Sequence, residues 1–110
     1  MDDTAYKILT APQFAALRQG QFGGAPVDIS DGYIHLSSAA QLTSTAQKHF
    51  AGQDGLFVLA IDLARLGNAV RWEVSRGGQL FPHLYGRLGM EHVLAHAPLC
   101  WKQGEVVLPA

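Results

Sequence analysis

The chain has 110 residues, of which 48% are hydrophobic and 15% are charged, and its formal net charge is −1. These values predict a single globular domain over residues 1–110 and exclude a disordered chain. A net charge this close to zero gives no reason to expect nucleic acid or an anionic membrane surface as a partner.

Cysteine content and the start of the chain bear on the cellular compartment. Cys100 is the one cysteine, so an intrachain disulfide is excluded and we expect a cytoplasmic protein. The opening Met-Asp-Asp-Thr lacks the apolar run of a secretory signal. No stretch approaches the about 20 apolar residues that a membrane span needs.

The first elements in chain order are a strand, a short helix and a loop. Residues 5–9 alternate weakly between polar and apolar, as a strand does. Thr10 and Pro12 mark the start of a helix, and Gly20 marks its end. Residues 21–30, with two glycines and a proline, predict a surface loop that is longer than a tight connection needs.

The stretch from Asp31 to Ser38 combines a turn, a short strand and a helix start. Alternation along the strand points Ile34 and Leu36 to one face, which should be the core. His35 and Ser37 then lie on the opposite, accessible face. The second serine caps a helix predicted over 39–50.

Strands dominate the second half of the chain. The apolar run at 56–61 predicts a central strand that is buried on both faces. A helical turn at 63–67 and a strand at 70–74 follow. Residues 80–85 are extended, but Pro82 confines them to a sheet edge, a strand start or a bulge.

The last strands are predicted over 93–97 and 101–108. Short helices followed by many strands indicate an α+β protein with a mixed or antiparallel sheet.

His35 is the main candidate for chemistry, because an imidazole can donate, accept and exchange protons near neutral pH. The alternative is a histidine that ties its strand to a loop through one hydrogen bond. Helix capping likewise explains either Ser37 or Ser38 without any role in binding.

A second stretch, Phe81-Pro82-His83-Leu84-Tyr85-Gly86, holds a histidine and a tyrosine in a rigid frame. We expect Phe81 and Leu84 to fill the core, which leaves His83 and Tyr85 as candidate site residues.

Arg71 and Glu73 lie two residues apart on one face of their strand. They can reach a common ligand, or they can form a weak exposed ion pair. Their weight as site residues depends on whether their face is also the His35 face. We expect the two histidine stretches to line one cleft, with this pair nearby.

His92 and His96 have a spacing that would suit zinc on a helix. Their segment predicts a strand, and no third ligand follows, so we predict no metal site.

At these residues the chain resembles the domain of unknown function family 952. The segments from Asp31 to Ser37, Arg71 to Glu73 and Phe81 to Gly86 carry the resemblance, which covers about Tyr6 to Pro98. The family is uncharacterised. The resemblance implies the ADP-ribosyltransferase-like fold, a split, mostly antiparallel sheet with short helices around an NAD cleft.

A second resemblance points to the same superfamily. The run Ile34-His35-Leu36-Ser37, followed by a helix and Leu59-Ala60-Ile61-Asp62-Leu63, is similar to the NAD-dependent RNA 2′-phosphotransferases. It implies a histidine at the ribose of NAD, an aromatic residue on the nicotinamide and a late acidic residue. This chain has Lys7 where the early strand of the superfamily often carries histidine, and no late glutamate with a clear catalytic position.

Three functions remain open. The first is an NAD- or ADP-ribose-dependent transferase, with NAD as the cofactor. The second is a non-catalytic module on the same fold that binds a nucleotide, a phosphorylated metabolite or a peptide. The third is a structural domain whose histidines only tie loops. The predicted catalytic residues are His35, Glu73 and His83, and the predicted ligand-binding residues are Lys7, Ser37, Arg71 and Tyr85.

Overall fold

The computed structural model describes residues 3–110, so the predictions made for Met1 and Asp2 lie outside it. The helices are α1 (Ala11–Arg18), α2 (Pro26–Asp31), α3 (Ala39–His49) and α4 (Leu63–Leu66). The strands are β1 (Thr4–Thr10), β2 (Ile34–His35), β3 (Leu56–Asp62), β4 (Val70–Val74), β5 (Leu80–Leu84), β6 (Val93–Pro98), β7 (Trp101–Lys102) and β8 (Glu105–Val106). The described strand pairs are all antiparallel, which confirms the α+β class.

Helix α1 begins where its sequence predicts. The Gln13 backbone N–H donates to the Thr10 hydroxyl, and the Gln13 side-chain oxygen accepts from the Thr10 backbone N–H. This reciprocal pair satisfies two donors that a helix start leaves without partners.

The first sheet has the order β1-β3-β6. Strand β3 lies in its middle, and Val58, Leu59 and Ile61 are fully buried. Leu59 and Ile61 belong to an apolar core that includes α1, whereas Val58 belongs to a second core under α3. The prediction of a central strand that is buried on both faces is therefore confirmed.

The second sheet has the order β2-β5-β4. Strand β5 is its centre, so the prediction that Pro82 confines this segment to an edge, a start or a bulge is wrong. The Pro82 carbonyl accepts from the Leu36 N–H at 3.1 Å. In an antiparallel strand the nitrogen and carbonyl of one residue face the same side. The side of Pro82 that lacks an N–H therefore faces the residues just after β2, where the pairing of β2 with β5 ends.

One pair of backbone hydrogen bonds connects β1 to the chain after β2. Tyr6 N–H donates to the Ser37 carbonyl at 2.7 Å, and Ser37 N–H donates to the Tyr6 carbonyl at 2.9 Å. The apolar core on one side contains residues of both sheets. On the other side the sheets diverge from this bridge.

The predicted loop at 21–30 is wrong in its second half, where α2 forms. Pro26 fits the first turn because it has no N–H to leave unpaired, and Gly32 ends the helix in the left-handed region with φ 85°. Proline at the start and glycine after the end are a helix signal that the loop interpretation overlooked.

Among residues 3–110, the structure has no helix long and apolar enough to cross a membrane.

Truncation of Leu84 tests the shared core. Leu84 is 1% exposed in the core that joins the two sheets, whereas Leu80 on the same strand is 50% exposed. We expect Leu84→Ala to lower the free energy of unfolding by about 2–5 kcal/mol through lost burial and a cavity. Leu80→Ala is the matched control and should cost under about 1 kcal/mol. Urea denaturation measures both, and equal losses would contradict the assigned core.

Candidate functional site

Strand register brings four of the predicted site residues to one face of the second sheet, namely His35, Arg71, Glu73 and His83. His83 lies opposite His35 on one side and opposite Arg71 on the other. Glu73 lies opposite Phe81. Directly opposed residues in an antiparallel pair share a face, so Arg71 and Glu73 are on the His35 face. Ile34 and Leu36 are 5% and 2% exposed on the core side, as predicted.

A cleft of about 800 Å³ opens where the two sheets diverge. Of the predicted site residues, Lys7, Ser37, His35 and His83 line it. Its other walls come from the start of α2, from α3 and from the turn before β5. Phe81 is buried as predicted but faces this cleft. Arg71, Glu73 and Tyr85 do not line the cleft and reach it through His83.

Asp28 of α2 holds one wall together. Its Oδ1 accepts from the His35 backbone N–H at 3.0 Å and lies 2.6 Å from His35 Nδ1. Oδ2 accepts from the Ala25 N–H at 2.8 Å and lies 3.0 Å from Lys7 Nζ. Lys7 also donates to the His35 carbonyl at 2.8 Å. The second histidine nitrogen, Nε2, lies 3.0 Å from Asp31.

Both members of the Lys7–Asp28 pair are buried, with exposures of 7% and 2%. Burial lowers the pKa of Lys7, and the nearby carboxylate only partly offsets this effect. Burial opposes ionisation of Asp28 too, but the charge of Lys7 and the hydrogen bonds from His35 and Ala25 outweigh it and hold the pKa of Asp28 below its ordinary value. A Lys7 ammonium bound in this way joins β1 to α2 and has little freedom to bind phosphate.

His83 carries the second polar cluster. Its Nδ1 lies 2.8 Å from Glu73 Oε1, which also accepts from the Tyr85 hydroxyl at 2.7 Å. These hydrogen bonds from Tyr85 and His83 lower the pKa of Glu73, and the same bond to Glu73 raises the pKa of Tyr85. An ionised carboxylate only accepts, so Nδ1 carries the hydrogen of this bond. No hydrogen bond within the described part of the chain involves Nε2.

Tyr33 covers the two histidines. Its ring stacks on His83 with centroids 4.1 Å apart and an interplanar angle of 25°, and it lies 4.7 Å from the His35 ring. The Arg71 guanidinium lies over the Tyr85 ring at 4.8 Å. Stacking of this kind restricts the His83 ring and so keeps its free nitrogen in a fixed direction.

Three residues of this region were not among the predicted site residues: Asp28, Tyr33 and Arg76. Asp28 was hidden by the loop interpretation of α2. Alternation in the sequence places Tyr33 on the same face as His35. Its contact with His83 depends on the pairing of β2 with β5, which are distant in the sequence.

His92 and His96 lie apart from the cleft. His92 Nδ1 accepts from the Gly89 N–H. His96 lies in the extended strand β6, and its ring packs edge-on against Phe14 of α1. Within residues 3–110, no three histidine, cysteine, aspartate or glutamate side chains are grouped as metal ligands would be.

Comparison with known proteins defines the class to which this fold and cleft belong. The family model described as protein of unknown function (DUF952) matches residues 8–96. The chain belongs to the DUF952 family.

Two solved structures of one bacterial protein are similar to this chain. The crystal structure of protein CC0527 from Caulobacter crescentus matches with 42% sequence identity and a TM-score of 0.85, over 97% of this chain and 93% of that one. Its solution NMR structure matches with 42% identity and a TM-score of 0.80, over 96% and 91% of the two chains. No curated protein matches the chain.

Removing the charge of Asp28 tests the cleft wall. We expect Asp28→Asn to lower the free energy of unfolding by about 3–5 kcal/mol at neutral pH, because Lys7 is left as an uncompensated buried charge. The lowered pKa of Asp28 contributes stability that is present above the ordinary aspartate pKa of 3.8 and is lost as the pH falls through the folded-state value. The difference between wild type and variant should therefore narrow below about pH 4.

Asp31→Asn is the matched control, since Asp31 contacts the same histidine from a side chain that is 43% exposed. It should cost under about 1 kcal/mol. Urea denaturation between pH 3 and pH 7 measures both variants, and a pH-independent difference for Asp28→Asn would contradict the assigned role.

Proposed function

We propose that the cleft binds a nucleotide-class ligand, and that the protein is an NAD-dependent transferase with an ADP-ribosyltransferase-like fold. The observation that carries this proposal is His83, a cleft-lining imidazole that Glu73 orients through Nδ1 and that keeps Nε2 without a described partner. A base positioned by a carboxylate is the arrangement that general-base catalysis needs.

The cleft suits NAD in volume and in chemistry. Ligand sites usually enclose about 300–1,000 Å³ with mostly apolar walls and a few placed polar groups, and this cleft of about 800 Å³ is of that kind. When bound, NAD would supply an ADP-ribosyl group with nicotinamide as the leaving group.

The residues of the chain have distinct roles in this proposal. His83 Nε2 takes the proton of an acceptor hydroxyl, and ionised Glu73 stabilises the imidazolium that results. His35, whose two ring nitrogens lie against Asp28 and Asp31, forms the wall beside the ribose at the bridge between the sheets. Tyr85 holds Glu73 in position, and Tyr33 closes the outer side of the histidine pair.

A non-catalytic binding module is the second candidate. The observation that favours it is the state of the carboxylates, since Asp28 accepts from Lys7 and His35 while Glu73 accepts from His83 and Tyr85. Neither is an uncommitted carboxylate for an oxocarbenium-like transition state. In this form the cleft holds a nucleotide or phosphorylated metabolite and transfers nothing.

Titration with NAD tests binding. We expect saturable changes in the NMR resonances of His35 and His83 at NAD concentrations up to a few millimolar, with His96 unmoved as an internal control. Adenosine and nicotinamide added separately show which half of the ligand contributes. Histidine resonances that stay unmoved at millimolar NAD would rule out both the transferase and an NAD-binding module.

Replacement of His83 separates the transferase from the module. We expect His83→Gln to reduce nicotinamide release from NAD by about 10²–10⁴-fold, the usual contribution of a general base, and to change NAD affinity much less. His96→Gln, which changes a histidine outside the cleft, should leave the rate unaltered. A wild-type protein that binds NAD but releases no nicotinamide with any offered acceptor would favour the binding module.

A further inference from the structure

We infer that Arg76, Thr45 and Ser37 form a phosphate subsite at one end of the cleft. This inference rests on the proposed function for the identity of the whole ligand, but its own content is the subsite and the class of group that it binds. None of the seven predicted site residues is Arg76, which lies in the turn between β4 and β5 and lines the cleft.

The guanidinium of Arg76 is held in place without a carboxylate. Its Nη2 donates to the Thr45 hydroxyl at 3.1 Å, and its central carbon lies 5.0 Å from the centre of the Phe81 ring. In the described chain no carboxylate pairs with Arg76, whereas Lys7 and Arg65 each pair with one. A half-buried cation with no anion partner is suited to an anionic ligand.

Two hydroxyls extend this cationic group. The Ser37 and Thr45 hydroxyl oxygens lie 2.8 Å apart and both residues line the cleft. His49 lies on the same wall, and burial followed by the positive charges of Arg76 and Lys48 lowers its pKa. The neutral imidazole of His49 can donate or accept a hydrogen bond, and the charges that lower its pKa show that its surroundings are cationic.

Phosphate is the chemical class that fits this set. A guanidinium presents its N–H groups in a planar fork that matches two oxygens of a phosphate, and stacking on an aromatic ring fixes the plane of that fork. Hydroxyl groups add donors to the remaining oxygens. A single fork and two hydroxyls suit a phosphate or diphosphate ester.

The subsite also gives the ligand a direction. Phe81, over whose ring the Arg76 guanidinium lies, and His83 are two residues apart on the same face of β5, which separates them by about 7 Å. A diphosphate held by Arg76 therefore leaves the adjoining sugar at the height of His83. In this arrangement the phosphate that anchors the ligand lies at Arg76, and the part of the ligand that reacts lies at His83.

Pyrophosphate is the direct probe of the subsite. In ¹H–¹⁵N spectra recorded at constant ionic strength, we expect saturable shifts centred on Ser37, Thr45 and Arg76. Arg76→Gln should weaken pyrophosphate binding about tenfold or more, the usual effect of losing a charge-assisted hydrogen-bond pair. The control Arg65→Gln, which removes an exposed cation beside Asp62, should bind as the wild type does.

Two further variants and two further ligands complete the experiment. Arg76→Lys keeps the charge but not the fork and should lie between wild type and Arg76→Gln. Thr45→Val should weaken pyrophosphate binding while its NMR spectrum stays dispersed, as that of a folded protein does. This variant tests the subsite independently if Arg76→Gln fails to fold. ADP should bind more tightly than adenosine in the wild type, and Arg76→Gln should abolish that preference if the phosphate belongs to a nucleotide.

The outcomes separate this inference from the proposed function. Loss of pyrophosphate binding in Arg76→Gln supports the subsite even if the wild type neither binds nor cleaves NAD. Equal NAD affinity in wild type and Arg76→Gln overturns the subsite even if NAD is consumed. Absence of any saturable pyrophosphate shift in the cleft also overturns it.

Discussion

The buried carboxylate of Asp28 is the constraint on which the cleft depends. It lies on a helix of six residues, yet it accepts hydrogen bonds from the backbone of Ala25, the backbone and ring of His35 and the ammonium of Lys7. Helix α2, strand β1 and strand β2 thus meet at two oxygen atoms. A buried carboxylate requires this many partners, because transfer of an unpaired charge from water into the interior is far more costly than loss of one hydrogen bond. The wall of the cleft around Asp28 is consequently held together by polar contacts, in contrast to the apolar cores on either side of the first sheet.

A second constraint is the place where strand pairing stops. Pro82 cannot donate to a neighbouring strand, and β2 ends at His35 beside it. Beyond this point the backbones of the two sheets are joined by the hydrogen bonds between Tyr6 and Ser37, and the Lys7 side chain adds a bond to the His35 carbonyl. The cleft occupies the space that continued pairing would have closed. The position of the cleft is thus linked to Pro82, the residue without an N–H. The side chains that line the cleft there carry hydroxyl, imidazole and guanidinium groups.

Much of the fold was predictable because its signals are local. The capping residue Thr10, the apolar run of β3 and the alternation around His35 each act within a few residues, and the structure agrees with each of them. Of the exceptions, helix α2 has a local signal, Pro26 at its start and Gly32 after its end, that a loop interpretation overlooks, whereas the place of Pro82 depends on long-range pairing. The sequence confines Pro82 to an edge, a strand start or a bulge, because a lone strand does not reveal that its neighbour ends beside the proline. For the site, alternation placed His35 and Ser37 on one face, but the link from His83 to Glu73 and the contact of Arg76 with Thr45 come from strand register and loop packing across 10 and 31 residues.

The bridge between Tyr6 and Ser37 also has a thermodynamic consequence. The two sheets share an apolar core on one side, whereas on the cleft side polar contacts join them: the backbone pair between Tyr6 and Ser37 and the bond from Lys7 to the His35 carbonyl. A molecule that contacts β1 on one wall and β5 on the other would then act as a non-covalent cross-link between the sheets. Its binding free energy would be added to the cohesion of the folded state, since a ligand that binds only the native form stabilises it by mass action. A ligand bound in this way would stabilise the association of the two sheets as well as occupy the cleft.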